Sequence, residues 1–137
     1  MQKDVPRGAV ASIASEYSGS PFSPGSVVVV TLGNPREKIW GMILSLAPEG
    51  LGMSGIDLAS FEDLAAMVKE GEAVSPAVVF FPMHRIERIE LDLPDGNLPS
   101  LSQRFSTKTG LEPSALLRSP MAKVANRRIA SSAGETV

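Results

Sequence analysis

His84 is the only histidine of the chain, and it stands beside Arg85 in the stretch FFPMHRIERIELD, residues 80–92. An imidazole next to a guanidinium suits recognition of an anion, because both present N–H donors and the guanidinium stays charged at physiological pH. A phosphate or a partner's carboxylate is the ligand class such a pair takes. Catalysis by His84 needs a nucleophile or an acid close in space, and no signature supplies one. The sequence holds no glycine-rich phosphate loop and no nucleophile elbow. Asp57, Glu62 and Asp63 lack the spacing and central glycine of a calcium loop. The charged stretch NPREK, 34–38, with Arg36 and Lys38, reads as a solvated hairpin tip. The structural reading of the pair is favoured over the functional one: His84 caps local backbone groups, and Arg85 pairs with Glu87 or Glu62.

Composition narrows the chemistry further. The chain has no cysteine, which excludes disulfides, thiolate catalysis and cysteine-ligated zinc or iron–sulfur sites. One histidine rules out a polyhistidine metal site within one chain. No cofactor and no enzymatic activity are expected. The length of 137 residues suits one compact domain with tails, and 43% hydrophobic with 20% charged residues is ordinary for a soluble globular protein. A net charge of −2 creates no global field toward nucleic acid or anionic lipid. No apolar run approaches the roughly 20 residues of a membrane helix, and no apolar h-region opens the chain. A cytoplasmic protein without membrane contact is expected.

The elements that must position His84 and Arg85 begin after a Ser-, Gly-, Ala- and Pro-rich segment, 1–25, which is expected to be disordered apart from a short helix between Ala9 and Tyr17. SVVVVTL, 26–32, is rich in β-branched residues and reads as a strand. Gly33, Asn34 and Pro35 supply turn chemistry. In KIWGMILSLA, 38–47, period two sets Trp40, Met42, Leu44 and Leu46 on one face and Ile39, Gly41 and Ile43 on the other. LGMSGIDL, 51–58, is a third strand whose Gly52 and Gly55 mark bending or close backbone approach. SFEDLAAMVKEG, 60–71, carries a helix signature: Ser60 as N-cap with Asp63 at the capping-box position, an apolar stripe of Phe61, Leu64, Ala65 and Val68, and a Gly71 stop. AVVFF, 77–81, is a fourth, fully apolar strand. A one-turn 3₁₀ corner at 83–86 followed directly by a strand accounts for the two spacings in the histidine stretch. Glu87 then shares the apolar face with Ile89, Leu91 and Leu93, while Arg88, Glu90 and Asp92 face solvent.

This order of strands resembles the Sm-like small barrel of the Sm, LSm and Hfq proteins. VVVVTLGNPREKIWGMILSLAPEGLGMSGIDL looks like the first Sm motif, with Gly41 in its second strand and Asp57 at its end. VVFFPMHRIERIEL looks like the second, and Pro82, Met83, His84 and Arg85 stand where Hfq carries a pore-lining, RNA-binding segment. The resemblance covers residues 26–93. It implies a five-stranded, strongly bent barrel that assembles into a ring and touches RNA. The sequence departs from the family in its Pro/Ser/Gly-rich segment before the first strand, its inserted helix, its missing RNA-stacking elements and its acidic barrel region. From Ser26 to Leu93 acids outnumber bases ten to five, and beyond Leu93 bases outnumber acids six to three. SH3-like barrels would show much the same pattern.

Past the barrel region, residues 94–119 read as a turn-rich linker and two short helices. Leu101 and Phe105 lie four apart, Gly110 acts as a stop and Pro113 takes an N1 position. Packing of these helices back on the barrel is favoured over a free partner-binding arm. The basic tail, 120–137, is expected to be disordered and solubilising. The expectation is thus a mainly β, five-stranded Sm-like barrel with an inserted helix and short C-terminal helices. It acts as a binding and assembly module, homo-oligomeric through its apolar edge strands at 77–81 and 86–93. Any RNA contact would be weak and tail-assisted, with ligand-facing residues His84, Arg85, Met83, Arg36 and Lys38. The alternative is an adaptor docking a protein partner through the barrel edge or the 98–118 arm.

Overall fold

The structure is a computed structural model that describes residues 19–118. The expected helix between Ala9 and Tyr17 and the tail from Pro120 lie outside these residues. Five strands, β1 (Val27–Leu32), β2 (Glu37–Ala47), β3 (Gly50–Asp57), β4 (Ala77–Pro82) and β5 (Ile86–Leu91), form one antiparallel sheet in the order β4-β3-β2-β1-β5. Three helices complete the fold: α1 (Phe61–Lys69), α2 (Leu101–Thr109) and α3 (Pro113–Leu117). No ladder joins β4 to β5 among the described residues, so the sheet is not closed, and these two strands are its edges.

The stiff β-branched run Val27–Thr31 forms β1, which pairs on both sides, with β2 and β5. Its hairpin to β2 turns through Asn34, which takes a positive φ of 52°. Asn tolerates that region because its short polar side chain bonds locally. Cross-strand register sorts the residues onto two faces. Val28, Val30, Leu32, Ile43, Leu51 and Met53 form an inner cluster in which each side chain is 0% exposed. Val79 and Phe81 of β4 and Ile86, Ile89 and Leu91 of β5 pack around it. No helix residue belongs to this cluster. A sheet that shields one of its own faces this completely must coil strongly around it. Two irregularities in the ladders supply the bend: β2 skips Leu44 against β3, and β5 skips Glu87 against β1. Gly41 and Gly55 face each other in the register, and a Cβ on Gly55 would lie 2.8 Å from the Trp40 carbonyl. The expectation that Gly55 marks close backbone approach is met here. Phe22 also packs on the inner cluster, although residues 19–25 fall in the segment expected to be disordered.

The outer face carries the second cluster. Trp40, Met42 and Ile56 of the sheet pack with Phe61 and Ala65 of α1, Phe105 of α2, and Leu116 and Leu117 of α3. Trp40 meets the Phe61 ring edge-on at 5.3 Å between centroids. The C-terminal helices therefore pack in cis, and their apolar faces are taken up by the sheet. The start of α1 differs from the expectation. Ser60 makes no side-chain cap bond; a 3₁₀ turn at Leu58–Ser60 leads into the helix instead, and the Asp57 carboxylate accepts from the Ala59 N–H at 3.0 Å. The cap expected at Ser60 is instead found at α2, where Ser100 and Gln103 form a complete capping box.

Candidate interaction surface at the sheet edges

A 3₁₀ turn, Met83–Arg85, joins β4 to β5, as the sequence pattern requires. Arg85 turns back onto the β1–β2 hairpin. Its Nη1 donates to the carbonyls of Gly33 (2.8 Å) and Asn34 (2.6 Å), with Pro35 further away at 3.3 Å. Its Nη2 reaches Glu37 at 3.5 Å. The Gly33 N–H in turn donates to the Arg85 carbonyl at 2.8 Å. A guanidinium whose Nη1 donates to the carbonyls of a neighbouring hairpin holds two turns together. Glu87 and Glu62, the partners expected for Arg85, are occupied elsewhere: Glu87 lies 3.6 Å from Arg36, and Glu62 pairs with Arg104 and Lys108 of α2.

The remaining sequence candidates are scattered over the rim rather than gathered. His84 is exposed and has no hydrogen-bond partner among the described residues, so the backbone-capping role expected for it is not seen. Met83 is 38% exposed and is tethered through its backbone N–H to the Glu49 carbonyl at 2.8 Å. Arg36 and Lys38 are exposed on the hairpin tip. The skipped position at Glu87 also corrects the face assignment in β5. With Glu87 outside the ladder, Ile86 and Ile89, three apart, both turn inward, and Glu87 itself is exposed. Leu93 is 51% exposed rather than part of that face.

Asp92 does not face solvent as its parity suggested. Its carboxylate accepts from the Trp40 indole N–H at 3.0 Å, the Leu101 N–H at 2.9 Å, the Ser102 N–H at 2.7 Å and the Ser102 hydroxyl at 2.6 Å. This group pins the N-terminus of α2 to the sheet and to the core tryptophan. A groove of about 590 Å³ beside α2 is lined by Ser102, Gln103, Ser106, Thr107 and Glu112 between two prolines, and it contains no basic side chain.

What the described surface does offer is β4. Its only ladder is with β3, and its outward residues Val78 and Phe80 are 52% and 57% exposed. AVVFF read as uniformly apolar, so sequence alone did not separate Val78 and Phe80 from the inward Val79 and Phe81. A five-residue apolar run at a sheet edge was the available signal. β5, the other edge, carries an exposed Arg88–Glu90 pair at 2.9 Å. Along their outer sides neither β4 nor β5 has a ladder partner among the described residues. No helix among the described residues is long and apolar enough to cross a membrane. No protein-family model, curated protein or solved structure matches this chain.

Proposed function

We propose that this chain is a non-enzymatic, Sm-like binding and assembly module of the cytoplasm that self-associates through the edges of its coiled sheet, with a regulatory or scaffolding role. The observation that carries this reading is the pair of unpaired edge strands, one of them with two large apolar side chains in solvent. The strand order, the close approach at Gly41 and Gly55 and the 3₁₀ corner between β4 and β5 are consistent with a small barrel of this class. RNA is a minor ligand in this reading. Arg85 is engaged on backbone carbonyls, and the residues from Ser26 to Leu93 are acidic, so phosphate contacts fall to the C-terminal bases. The adaptor reading keeps only the sheet edge as its docking surface, because Phe105 and Leu117 of the 98–118 arm are 0% exposed, packed against the sheet.

Light scattering on the full chain at micromolar concentrations tests the assembly. A mass that is a multiple of 14.5 kDa is expected, and a monomer throughout refutes the proposal. Filter retention of single-stranded RNA between about 50 and about 200 mM salt tests the minor ligand. Retention is expected to be weak, to fall with salt and to vanish when residues 119–137 are removed. Tight binding by the truncated chain would overturn the electrostatic reasoning.

A further inference from the structure

We propose that β4 pairs with β4 of a second copy of this chain across a two-fold axis, making a continuous ten-stranded sheet. The proposal deepens the assembly reading and rests on it. The choice between the edges follows from what each outer face carries. Pairing β4 with β5 of another copy would set the outward Val78 and Phe80 against the outward Arg88 and Glu90, which are charged and already paired with each other. Cross-strand neighbours of that kind gain nothing from packing and part of their hydration is lost. Pairing β4 with itself sets apolar against apolar on both faces.

The register is fixed by the same strand. Pro76 and Pro82 bracket it, and neither can donate to a ladder, so the free edge is the five residues Ala77–Phe81 with Val79 at the centre. An antiparallel two-fold through Val79 then opposes Val78 to Phe80 on the outer face and Ala77 to Phe81 on the inner face. Each phenylalanine meets a smaller residue, and no two large rings compete for one space. The outer glycines beside the strand make room, since the Phe80 ring already lies where a Cβ on Gly50 would be, 2.7 Å from it. β4 contains no charge, so the two-fold brings no like charges together.

The absence of cysteine makes the test clean. In a two-fold pairing, Val79 of each copy sits directly opposite its equivalent, with Cα atoms about 4.5–5.5 Å apart, inside the range a disulfide spans. Val79→Cys under mild oxidation is therefore expected to run as a covalent dimer on a non-reducing gel, and the wild-type full chain to scatter as twice 14.5 kDa. Phe80→Lys, at an exposed position, is expected to give a folded monomer with an unchanged circular dichroism spectrum. A dimer whose Val79→Cys variant fails to cross-link, or an assembly of three or more copies, overturns the two-fold pairing while leaving self-association standing. A wild-type monomer overturns both.

Discussion

Replacing Asp92 by alanine removes the acceptor for four donors at once, and the cost can be worked from them. The Trp40 side chain is 0% exposed and its indole N–H has Asp92 as its partner; leaving it unsatisfied costs about 1–3 kcal/mol. The Leu101 and Ser102 N–H groups open α2, while the Gln103 N–H is already taken by Ser100. Losing an acceptor at a helix start costs about 1 kcal/mol, and the charge at the positive end of the helix adds about 0.3–1 kcal/mol. Asp92 is only partly buried, so water replaces some of what is lost, and about 3 kcal/mol is the expected total. With about 4–8 °C per kcal/mol for a domain of this size, Tm falls by about 12–24 °C. Trp40 is the sole tryptophan, so its fluorescence follows urea or thermal unfolding from inside the affected cluster. Asp92→Asn is expected to lie between the two, because its amide nitrogen must face one of the donor groups. A loss below about 1 kcal/mol in Asp92→Ala would refute the reasoning, since a single unsatisfied buried donor already reaches that figure.

Two further outcomes follow from the same hydrogen-bond map. The buried Ser54 hydroxyl donates to the Leu117 carbonyl at 2.6 Å, so Ser54→Ala leaves that carbonyl without its partner and is expected to cost about 1–3 kcal/mol by urea unfolding; a change within about 0.5 kcal/mol would mean that α3 is held by packing alone. Arg85→Ala is expected to cost about 1–2 kcal/mol through loss of its bonds to Gly33 and Asn34, while His84→Ala, at an exposed position, stays within about 0.5 kcal/mol; equal effects of the two would show that the histidine also builds the corner.

Local chemistry made most of the elements legible. A β-branched run, an apolar stripe at helical spacing and a strand–3₁₀–strand pattern are each decided by neighbours a few residues apart, and β1, α1 and the corner at Met83–Arg85 appear where those neighbours placed them, without the cap expected at Ser60. Parity failed where the ladder skips a residue. Glu87 reads as an inward residue only if period two runs unbroken, and the bulge against Thr31 and Leu32 breaks it. Asp92 was misread for a different reason. Its partners, Trp40 and the start of α2, are 52 and 9 to 10 positions away, and no periodicity reports a bond of that span. Arg85 is the same case: an arginine beside a histidine looks like a ligand pair until the carbonyls of a hairpin 50 to 52 residues earlier are found against it.

The cover on the outer face explains why the fold leaves an apolar edge in water. Met42, Ser54 and Val78 are cross-strand neighbours in one row, and their exposures run 3%, 0% and 52%. Helix α3 reaches as far as Ser54, where the Leu117 carbonyl is bonded, and Arg118 follows it exposed. The helical layer thus ends between β3 and β4. On the inner face the sheet coils over its own core and needs no such layer, so Val79 and Phe81 are partly buried while their neighbours Val78 and Phe80 are not. A residue pair left out of both clusters contributes little to the stability of the monomer, since exposed apolar side chains gain no burial on folding. Substituting Val78 and Phe80 by polar residues of similar β propensity therefore leaves the folded monomer standing while removing the surface that self-pairing requires.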